Sequence, residues 1–232
     1  MGIIRVESGK IAVQQIDAKI SSVIDFDDPI LVHDTFEVSS LWNGTGTGLD
    51  YSVARDAAAA YFNAYGIRLQ TKITTPAADD FVKMDRDYAI SNKNLLKVSA
   101  LFRIVNPAAE VKEFVISANH QIGDLLGIAR FRYMVSTGIW YYYDAAGSYV
   151  EFLANSNLAE NHWHRLSLVT NTTAGKYGIM VVDATKKDLS AIPINISYNP
   201  GQPDSFNVSL TLIAAGATQC IADIDNIIVK YV

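Results

Sequence analysis

The sequence predicts an all-β protein built as a two-sheet antiparallel sandwich. Apolar and polar residues alternate in many short segments, which is the period of strands whose two faces differ. Turn residues separate these segments at roughly the 8–12-residue spacing that is typical of a sandwich or barrel. No helical segments come between the strands, which argues against a parallel α/β sheet. Half of the 232 residues are hydrophobic and 19% are charged, so the chain can bury a large core.

The chain is predicted to begin with an N-terminal arm over residues 1–24. Two short apolar–polar segments there flank Ser8-Gly9-Lys10, which is typical of a hairpin turn. Chain ends usually fray unless something ties them down. We therefore expect the arm to pack on the sandwich or on a neighbouring subunit. The sandwich itself is predicted to span residues 25–232.

The first part of the sandwich contains a predicted loop and a segment that is predicted either to form a helical turn or not. Residues 40–50 contain three glycines, which weaken a strand, so a loop is predicted there. Residues 55–64 contain four consecutive alanines, for which a helical turn is one of two interpretations. Residues 67–73 alternate as a half-buried strand. Strong strands are predicted at 95–104 and 114–118.

The second half of the chain reads as a series of hairpins. A strand at 127–135 precedes a hairpin formed by residues 138–143 and 149–153. A second hairpin joins residues 161–170 to 177–183, and its return strand is apolar on both faces, as in a central strand. Two last strands close the fold after the loop at 199–205.

The second hairpin also carries a family resemblance. Trp163-His164, alternating leucines, a short turn and a Tyr-containing return strand that ends at Asp183 resemble laminin-G-like members of the concanavalin A-like superfamily. Residues 224–229 (IDNIIV) are similar to the last strand of these proteins. The resemblance covers residues 26–232. It implies a two-sheet antiparallel jelly-roll β-sandwich, often with a carbohydrate-binding or calcium-binding role. Glycosidases and structural proteins also belong to this superfamily, so the fold does not decide the function.

An aromatic band at residues 140–143 is the first candidate site. Trp140 and Tyr142 share one face of a strand and the two flanking tyrosines share the other, so one pair faces outward. Flat aromatic rings suit sugars, and Tyr and Trp are enriched at interfaces. The alternative is that both faces are buried. The predicted ligand-binding residues are Trp140, Tyr142, Arg130, Arg132, Asp144 and Trp42.

An acidic cluster is the second candidate, for calcium. Calcium takes about six to eight oxygen ligands, many of them from carboxylates. The predicted ligands are Asp25, Asp27, Asp28 and Asp225, the last of which stands where the resemblance places an Asp on the final strand. The alternative is solvated charge that protects strand edges. His162 and His164, two residues apart, would form half of a different metal site.

The sequence argues against several other functions. A retaining glycosidase needs two carboxyl groups about 5–5.5 Å apart, and none of the six Glu falls in such a pattern within a predicted strand. The net charge of −5 argues against a nucleic-acid partner. No bilayer-spanning stretch or signal peptide is visible, so we expect no membrane insertion. A virion, the medium after lysis and the cytoplasm all stay open as locations. Cys220 is the one cysteine and is predicted to lie in the core.

These observations favour a non-catalytic, lectin-like binding or assembly module. It would recognise a glycan, a repeating protein surface or both, as an oligomer or a component of an assembly. One alternative is a virion structural or decoration protein with no sugar ligand. Another is a carbohydrate-active enzyme with an atypical site.

Overall fold

The structure, a computed structural model, describes residues 3–7, 10–14, 30–37, 41–89, 95–106, 108–154, 156 and 158–232. Within these residues the strands form two eight-stranded antiparallel sheets and a separate two-stranded hairpin. The predicted all-β, two-sheet antiparallel sandwich is confirmed, and its arrangement is that of a jelly roll. Among the same residues, no helix has the length and apolar character that a membrane span requires.

The described residues contain 18 strands and one 3-10 turn at Ala57–Ala59. The strands are β1 (Ile3–Glu7), β2 (Lys10–Gln14), β3 (Ile30–Asp34), β4 (Asn43–Gly46), β5 (Ser52–Asp56), β6 (Gly66–Gln70), β7 (Phe81–Ala89), β8 (Leu95–Ile104), β9 (Val111–Ile122), β10 (Leu125–Met134), β11 (Ile139–Tyr143), β12 (Tyr149–Leu153), β13 (His164–Asn171), β14 (Lys176–Val182), β15 (Thr185–Asp188), β16 (Asn195–Tyr198), β17 (Ser205–Ala214) and β18 (Ile221–Tyr231).

We call the two large sheets the front sheet and the back sheet. The front sheet has the order β12-β11-β10-β9-β17-β7-β4, and β16 pairs with β10 beyond the end of β11. The back sheet has the order β15-β14-β13-β8-β18-β6-β5, and β3 pairs with β18. The core fills the space between them. Phe102 of the back sheet and Phe114 of the front sheet stack there with ring centroids 4.7 Å apart, and both are fully buried.

The predicted loop at 40–50 contains strand β4, which pairs with β7, so that prediction was wrong. The glycines make the strand possible rather than preventing it. A Cβ on Gly46 would lie 2.5 Å from the ring of Tyr51, which packs where a side chain would otherwise stand. The Tyr51 hydroxyl also donates to the carbonyl oxygen of Gly44 at 3.0 Å. An aromatic ring that covers glycines restores the packing that a bare strand lacks.

The two predicted hairpins are confirmed as β11–β12 and β13–β14. The alanine run forms only the 3-10 turn after β5, capped by Asp56, whose carboxylate accepts the Ala58 N–H at 2.7 Å. Cys220 is buried, as predicted. Strands β1 and β2 pair with each other. The division into an arm (1–24) and a sandwich (25–232) stays a prediction, because residues 15–29 lie outside the described ones.

Candidate functional site

The outward surface of the front sheet is the candidate site, and we call it the front face. Phe131 of β10 is fully buried, so its neighbours Arg130 and Arg132 point outward. The β10–β11 register pairs Arg132 with Tyr141 and Phe131 with Tyr142. Paired residues lie on the same side of a sheet. The odd-numbered tyrosines of the aromatic band therefore share the front face with the two arginines, and the even-numbered residues face the core.

The structure corrects the predicted roles of Trp140 and Tyr142. Trp140 is fully buried, and its indole N–H donates to the Ser156 hydroxyl at 3.1 Å. Tyr142 is half-buried on the same inner side, with its ring centroid 6.0 Å from that of Phe152 and 5.9 Å from that of Tyr177. The aromatic band does have one outward pair, but the core takes the pair that the prediction assigned to the ligand.

Trp42 and Asp144 are also engaged elsewhere. Trp42 is buried, and its indole N–H donates to the Asp34 carboxylate at 3.0 Å, so the structure places it in the core and not on an open surface. The Asp144 carboxylate accepts the backbone N–H groups of Ala146 at 3.0 Å and Ser148 at 2.8 Å. It therefore shapes the β11–β12 turn, as an Asx turn does.

Arg130 and Arg132 do lie on the front face, where each stacks on tyrosine rings. The guanidinium carbon of Arg132 is 3.8 Å from the ring centroid of Tyr149 and 5.0 Å from that of Tyr141. That of Arg130 is 5.3 Å from the ring centroid of Tyr143. Each such cation–π contact contributes about 0.5–1 kcal/mol at an exposed site. The five side chains form one preassembled cluster, which we call the Arg–Tyr wall.

Beside this wall lies a shallow hollow of about 300 Å³, which we call the front hollow. Its floor is formed by side chains of two neighbouring strands, β9 and β17, and includes the apolar residues Val115 and Ile213 at one end. Its opposite sides are formed by Lys83 of β7 and Tyr149 of the Arg–Tyr wall. The other end of the floor is polar and consists of Ser117, Asn119, Asn207 and Ser209. Because the register pairs Ser117 with Ser209 and Asn119 with Asn207, the floor presents two polar rows to the hollow.

Three buried polar atoms in the front hollow lack a hydrogen-bond partner among the described residues. They are Oε2 of Glu113, Oδ1 of Asn119 and Nε of Arg132. Glu113 and Arg132 form an ion pair 3.4 Å apart, but these two atoms do not meet hydrogen-bond geometry. Buried polar groups are nearly always satisfied in folded proteins. Each of these atoms is closed off from solvent, so a ligand in the hollow meets the exposed atoms of the lining side chains instead.

The front hollow continues into a second hollow of about 440 Å³, which shares Asn119 and Asn207 with it and reaches Gln121. From Glu113 to Gln121 the β9 backbone advances by eight residues, or about 26 Å at the usual strand rise. The two hollows together form an elongated, open groove along the sheet. This shape suits a linear ligand better than a compact one.

Tyr177 of the back sheet positions the Arg–Tyr wall from the core side. Its hydroxyl donates to the carbonyl oxygen of Tyr143 at 2.7 Å and accepts the backbone N–H of Arg130 at 3.1 Å. Burial raises the pKa of the Tyr177 hydroxyl far above its usual value, so it stays protonated and can donate. A single buried residue thus fixes the backbone that carries both an arginine and its stacked tyrosine.

Asp225 does not fit a calcium ligand. Its Oδ2 accepts the backbone N–H groups of Tyr61 at 2.8 Å and Phe62 at 3.1 Å, and its Oδ1 accepts that of Asn226 at 2.7 Å. The side chain is fully buried, and burial raises the pKa of the carboxyl group above its usual value. This carboxylate therefore holds the chain segment around Tyr61 and Phe62 in place.

The other three predicted calcium ligands, Asp25, Asp27 and Asp28, lie outside the described residues. Within the described ranges, no three His, Cys, Asp or Glu side chains are grouped so that they could hold a metal ion. Calcium binding by the acidic cluster therefore stays a prediction that rests on these three aspartates.

The two predicted histidines do not converge. Nδ1 of His164 lies 2.8 Å from the Asp183 carboxylate and its Nε2 lies 3.1 Å from the carbonyl oxygen of Ala159. Nδ1 of His162 instead lies 2.7 Å from the carbonyl oxygen of Glu160. Burial opposes a charge on His164, but the two acceptors outweigh it and raise the pKa of the imidazole. His164 therefore links two segments of the fold, and both contacts favour its protonated form.

No family model and no curated protein matches the sequence. The fold is nevertheless similar to that of many solved structures. A sialidase structure superposes with a TM-score of 0.53 and 12% identity over 88% of this chain, which spans only 19% of the sialidase chain. The cellulose induced protein Cip1 superposes with a TM-score of 0.56 and 10% identity, over 85% of this chain and 96% of that one.

A third similar structure comes from a phage. The CBM2 module of the evolved Dit of Lactobacillus casei BL23 phage J-1 has a TM-score of 0.52 and 10% identity, over 88% of this chain and 96% of that one. Lyases and a carbohydrate esterase are among the other matches. At such identities the likeness shows the fold alone, which is a β-sandwich.

Proposed function

We propose that the protein is a non-catalytic glycan-binding module whose ligand lies along the front face. The observation that carries this proposal is the group of hydroxyl and amide side chains in the front hollow, Ser117, Asn119, Asn207 and Ser209, beside the Arg–Tyr wall. Sugar hydroxyl groups both donate and accept hydrogen bonds, so they can pair with the hydroxyl, amide and guanidinium groups of this lining alike. The elongated groove leaves room for a chain of sugar units.

The Arg–Tyr wall supports the same proposal. Its tyrosines present an apolar ring with a polar tip, and they are already ordered by the stacked arginines. A ligand that packs against a preordered wall loses little side-chain entropy from the protein. The similarity of the fold to the CBM2 module of a phage protein adds support of a general kind.

A binding role is favoured over catalysis by the number of carboxylates at the site. Among the described residues, Glu113 is the one carboxylate that lines the front hollow. Hydrolysis by either common glycosidase mechanism uses two carboxyl groups that flank the scissile bond. The proposal therefore predicts that bound polysaccharide is recovered at its original length, as judged by reducing-end and ultraviolet assays.

Affinity gel electrophoresis over a panel of neutral and acidic polysaccharides tests the proposal. The wild-type protein should be retarded by at least one polymer, and Tyr149→Ala should lose about tenfold in affinity, as expected for an aromatic contact at the centre of a binding site. Tyr65→Ala is the matched control, because Arg55 stacks on Tyr65 at 4.2 Å outside the front face. No retardation by any polymer, or equal losses in the two variants, would remove the proposal.

A second candidate function, assembly without a sugar ligand, is favoured by one other surface. Leu125, Ile196 and Tyr198 are largely exposed apolar side chains on the paired strands β10 and β16. Exposed apolar clusters often mark protein contacts. A neighbouring subunit on this patch would give a protein whose mass in sedimentation rises with concentration, and the Ile196→Ser/Tyr198→Ser double variant would stay monomeric. A wild-type protein that is monomeric at all concentrations would exclude this role.

A further inference from the structure

The front hollow is more basic than the protein that contains it. Among the described residues, Lys83, Arg130 and Arg132 line it together with a single carboxylate, Glu113. The whole chain, in contrast, has a net charge of −5. A local excess of positive charge in an acidic protein raises the local concentration of anionic ligands.

Two of the three cations are paired with carboxylates of the protein. Nζ of Lys83 lies 3.1 Å from Oδ1 of Asp85, and Nε of Arg132 lies 3.4 Å from Oε2 of Glu113. These pairs largely neutralise their own charges. They leave Arg130 as the cation of the hollow whose charge is not compensated.

Arg130 has no carboxylate partner in the described part of the chain. Its Nε donates to the hydroxyl of Ser117 at 3.2 Å, and its guanidinium group stacks on Tyr143. These two contacts fix the plane of the group and occupy one of its five N–H donors. The terminal N–H groups are therefore held in a fixed orientation above the polar floor, with no protein acceptor among these residues.

A planar guanidinium fork that is held in this way matches a carboxylate in a bidentate geometry. We propose that the front hollow binds an acidic glycan and that Arg130 pairs with the carboxylate of a uronic or other acidic sugar. This inference rests on the proposed glycan-binding function and specifies its ligand class. The amide groups of Asn119 and Asn207, which line both hollows, would meet the neutral sugar hydroxyls on either side.

The surroundings of the hollow favour carboxylates spaced along a chain over a densely charged polyanion. Asp87 lines the second hollow, and its Oδ1 accepts the side-chain N–H of Asn207 at 2.9 Å. A ligand with several negative charges on each sugar unit would place some of them beside Asp87, and like charges repel.

Isothermal titration with three polymers tests the proposal: a polyuronate, the same polymer after reduction of its carboxyl groups to neutral sugars, and dextran sulfate. The wild-type protein should bind the polyuronate at least tenfold more tightly than its reduced form. The Arg130→Gln variant should bind the polyuronate and its reduced form equally, with the affinity that the wild type has for the reduced form. The reason is that a charge-assisted bidentate pair contributes at least a factor of about ten. Added salt should weaken only the polyuronate complex of the wild type.

Arg55→Gln is the matched control. Arg55 also stacks on a tyrosine and donates to the carbonyl oxygen of Glu37 at 2.8 Å, but it lies outside the front face, so polyuronate affinity should not change. Equal wild-type affinity for the polyuronate and its reduced form would overturn the acidic specificity and leave glycan binding intact. Binding of dextran sulfate alone would overturn the carboxylate assignment. Binding of none of the three, nor of any neutral polymer, would remove the proposed function as well.

Discussion

Both outer faces of the sandwich carry charged side chains at alternating strand positions. On the back sheet these side chains are buried under a cover, whereas on the front sheet they line an open hollow. On the back sheet, Asp223 is fully buried, and Arg68 and Arg103 donate to it at 2.8 and 3.1 Å through their Nε atoms. On the front sheet, Arg130 lines an open hollow and has no carboxylate partner among the described residues. Charged residues alternate outward on both sheets, yet only the front set is available to a ligand.

The difference comes from a segment that covers the back face. Residues 57–65 fold over the back sheet, where Asp225 accepts two of their backbone N–H groups and Arg103 donates to the carbonyl oxygen of Ala58 at 2.6 Å. The approach is so close that a Cβ on Gly66 would lie 1.9 Å from the carbonyl oxygen of Ala59. Charged side chains under such a cover become structural, whereas the same residue types without a cover stay free to bind. This difference can be tested by mutation.

The largest effect is expected at Asp223. Asp223→Ala leaves two arginines without their buried partner, which should lower the free energy of unfolding by about 3–5 kcal/mol. Urea denaturation measures this change. Asp87→Asn, at an exposed carboxylate of the front sheet, is the control and should stay within about 0.5 kcal/mol of the wild type. A loss below 1 kcal/mol at Asp223 would mean that the back cluster is not structural.

Asp225→Ala should have the next largest effect, about 2–3 kcal/mol, because three backbone N–H groups lose their acceptor inside the protein. Hydrogen exchange should accelerate first at the amides of Tyr61 and Phe62. Asp225→Asn keeps one acceptor oxygen and should lose less stability. Unchanged exchange at both amides in the Ala variant would contradict the assignment of Asp225 as the anchor of the cover.

The free energy of unfolding should depend on pH through His164 of the back sheet. The pKa of His164 in the folded state is raised above its ordinary 6.5, so the stability that it contributes is complete below pH 6.5 and is lost as the pH rises through the raised value. We expect the free energy of unfolding to fall by about 1 kcal/mol over that range, the size of one hydrogen bond. In His164→Asn this fall should disappear.

A second histidine limits the pH range over which the effect of His164 can be measured alone. Burial lowers the pKa of His120 to about 4, so this residue reduces stability as the pH falls from 6.5 toward 4. Measurements above pH 6.5 therefore isolate His164. If the free energy of unfolding of His164→Asn still falls with rising pH above 6.5, another group is responsible for the effect.

The smallest effect is expected on the front face. Glu113→Gln removes the charge from an ion pair whose atoms are 3.4 Å apart but keeps an acceptor oxygen, so the free energy of unfolding should fall by only about 1 kcal/mol. Asp223→Asn on the back face should cost several times more in the same assay. Equal losses in these two variants would remove the distinction between the faces.

Local alternation was enough to predict the sandwich and its two main hairpins. It could not decide which half of the aromatic band faces the core, because that depends on the register between β10 and β11. Counting back across the 135–138 turn from Arg132 to Tyr141 would have indicated it. Strand β7 was missed because its outward residues, Lys83, Asp85 and Asp87, have the composition of a charged loop.

The cover over the back face was beyond prediction for a different reason. Asp225 and its partners Tyr61 and Phe62 are more than 160 residues apart in the chain. Nothing in the sequence around Asp225 distinguishes an anchor for a distant segment from a metal ligand or a solvated charge. The role of a charged residue on a sheet depends on what lies above it, and that is a property of the tertiary fold.

The most direct test of the front face as the binding site is an amide chemical-shift titration with an oligosaccharide of whichever polymer retards the protein. The largest shifts should fall on β9, β10 and β17, around Ser117, Arg130 and Ser209, with little change at residues 57–65. Shifts that centre on residues 57–65 or on the β10–β16 end, with none at these three residues, would contradict the assignment of the front face as the binding site.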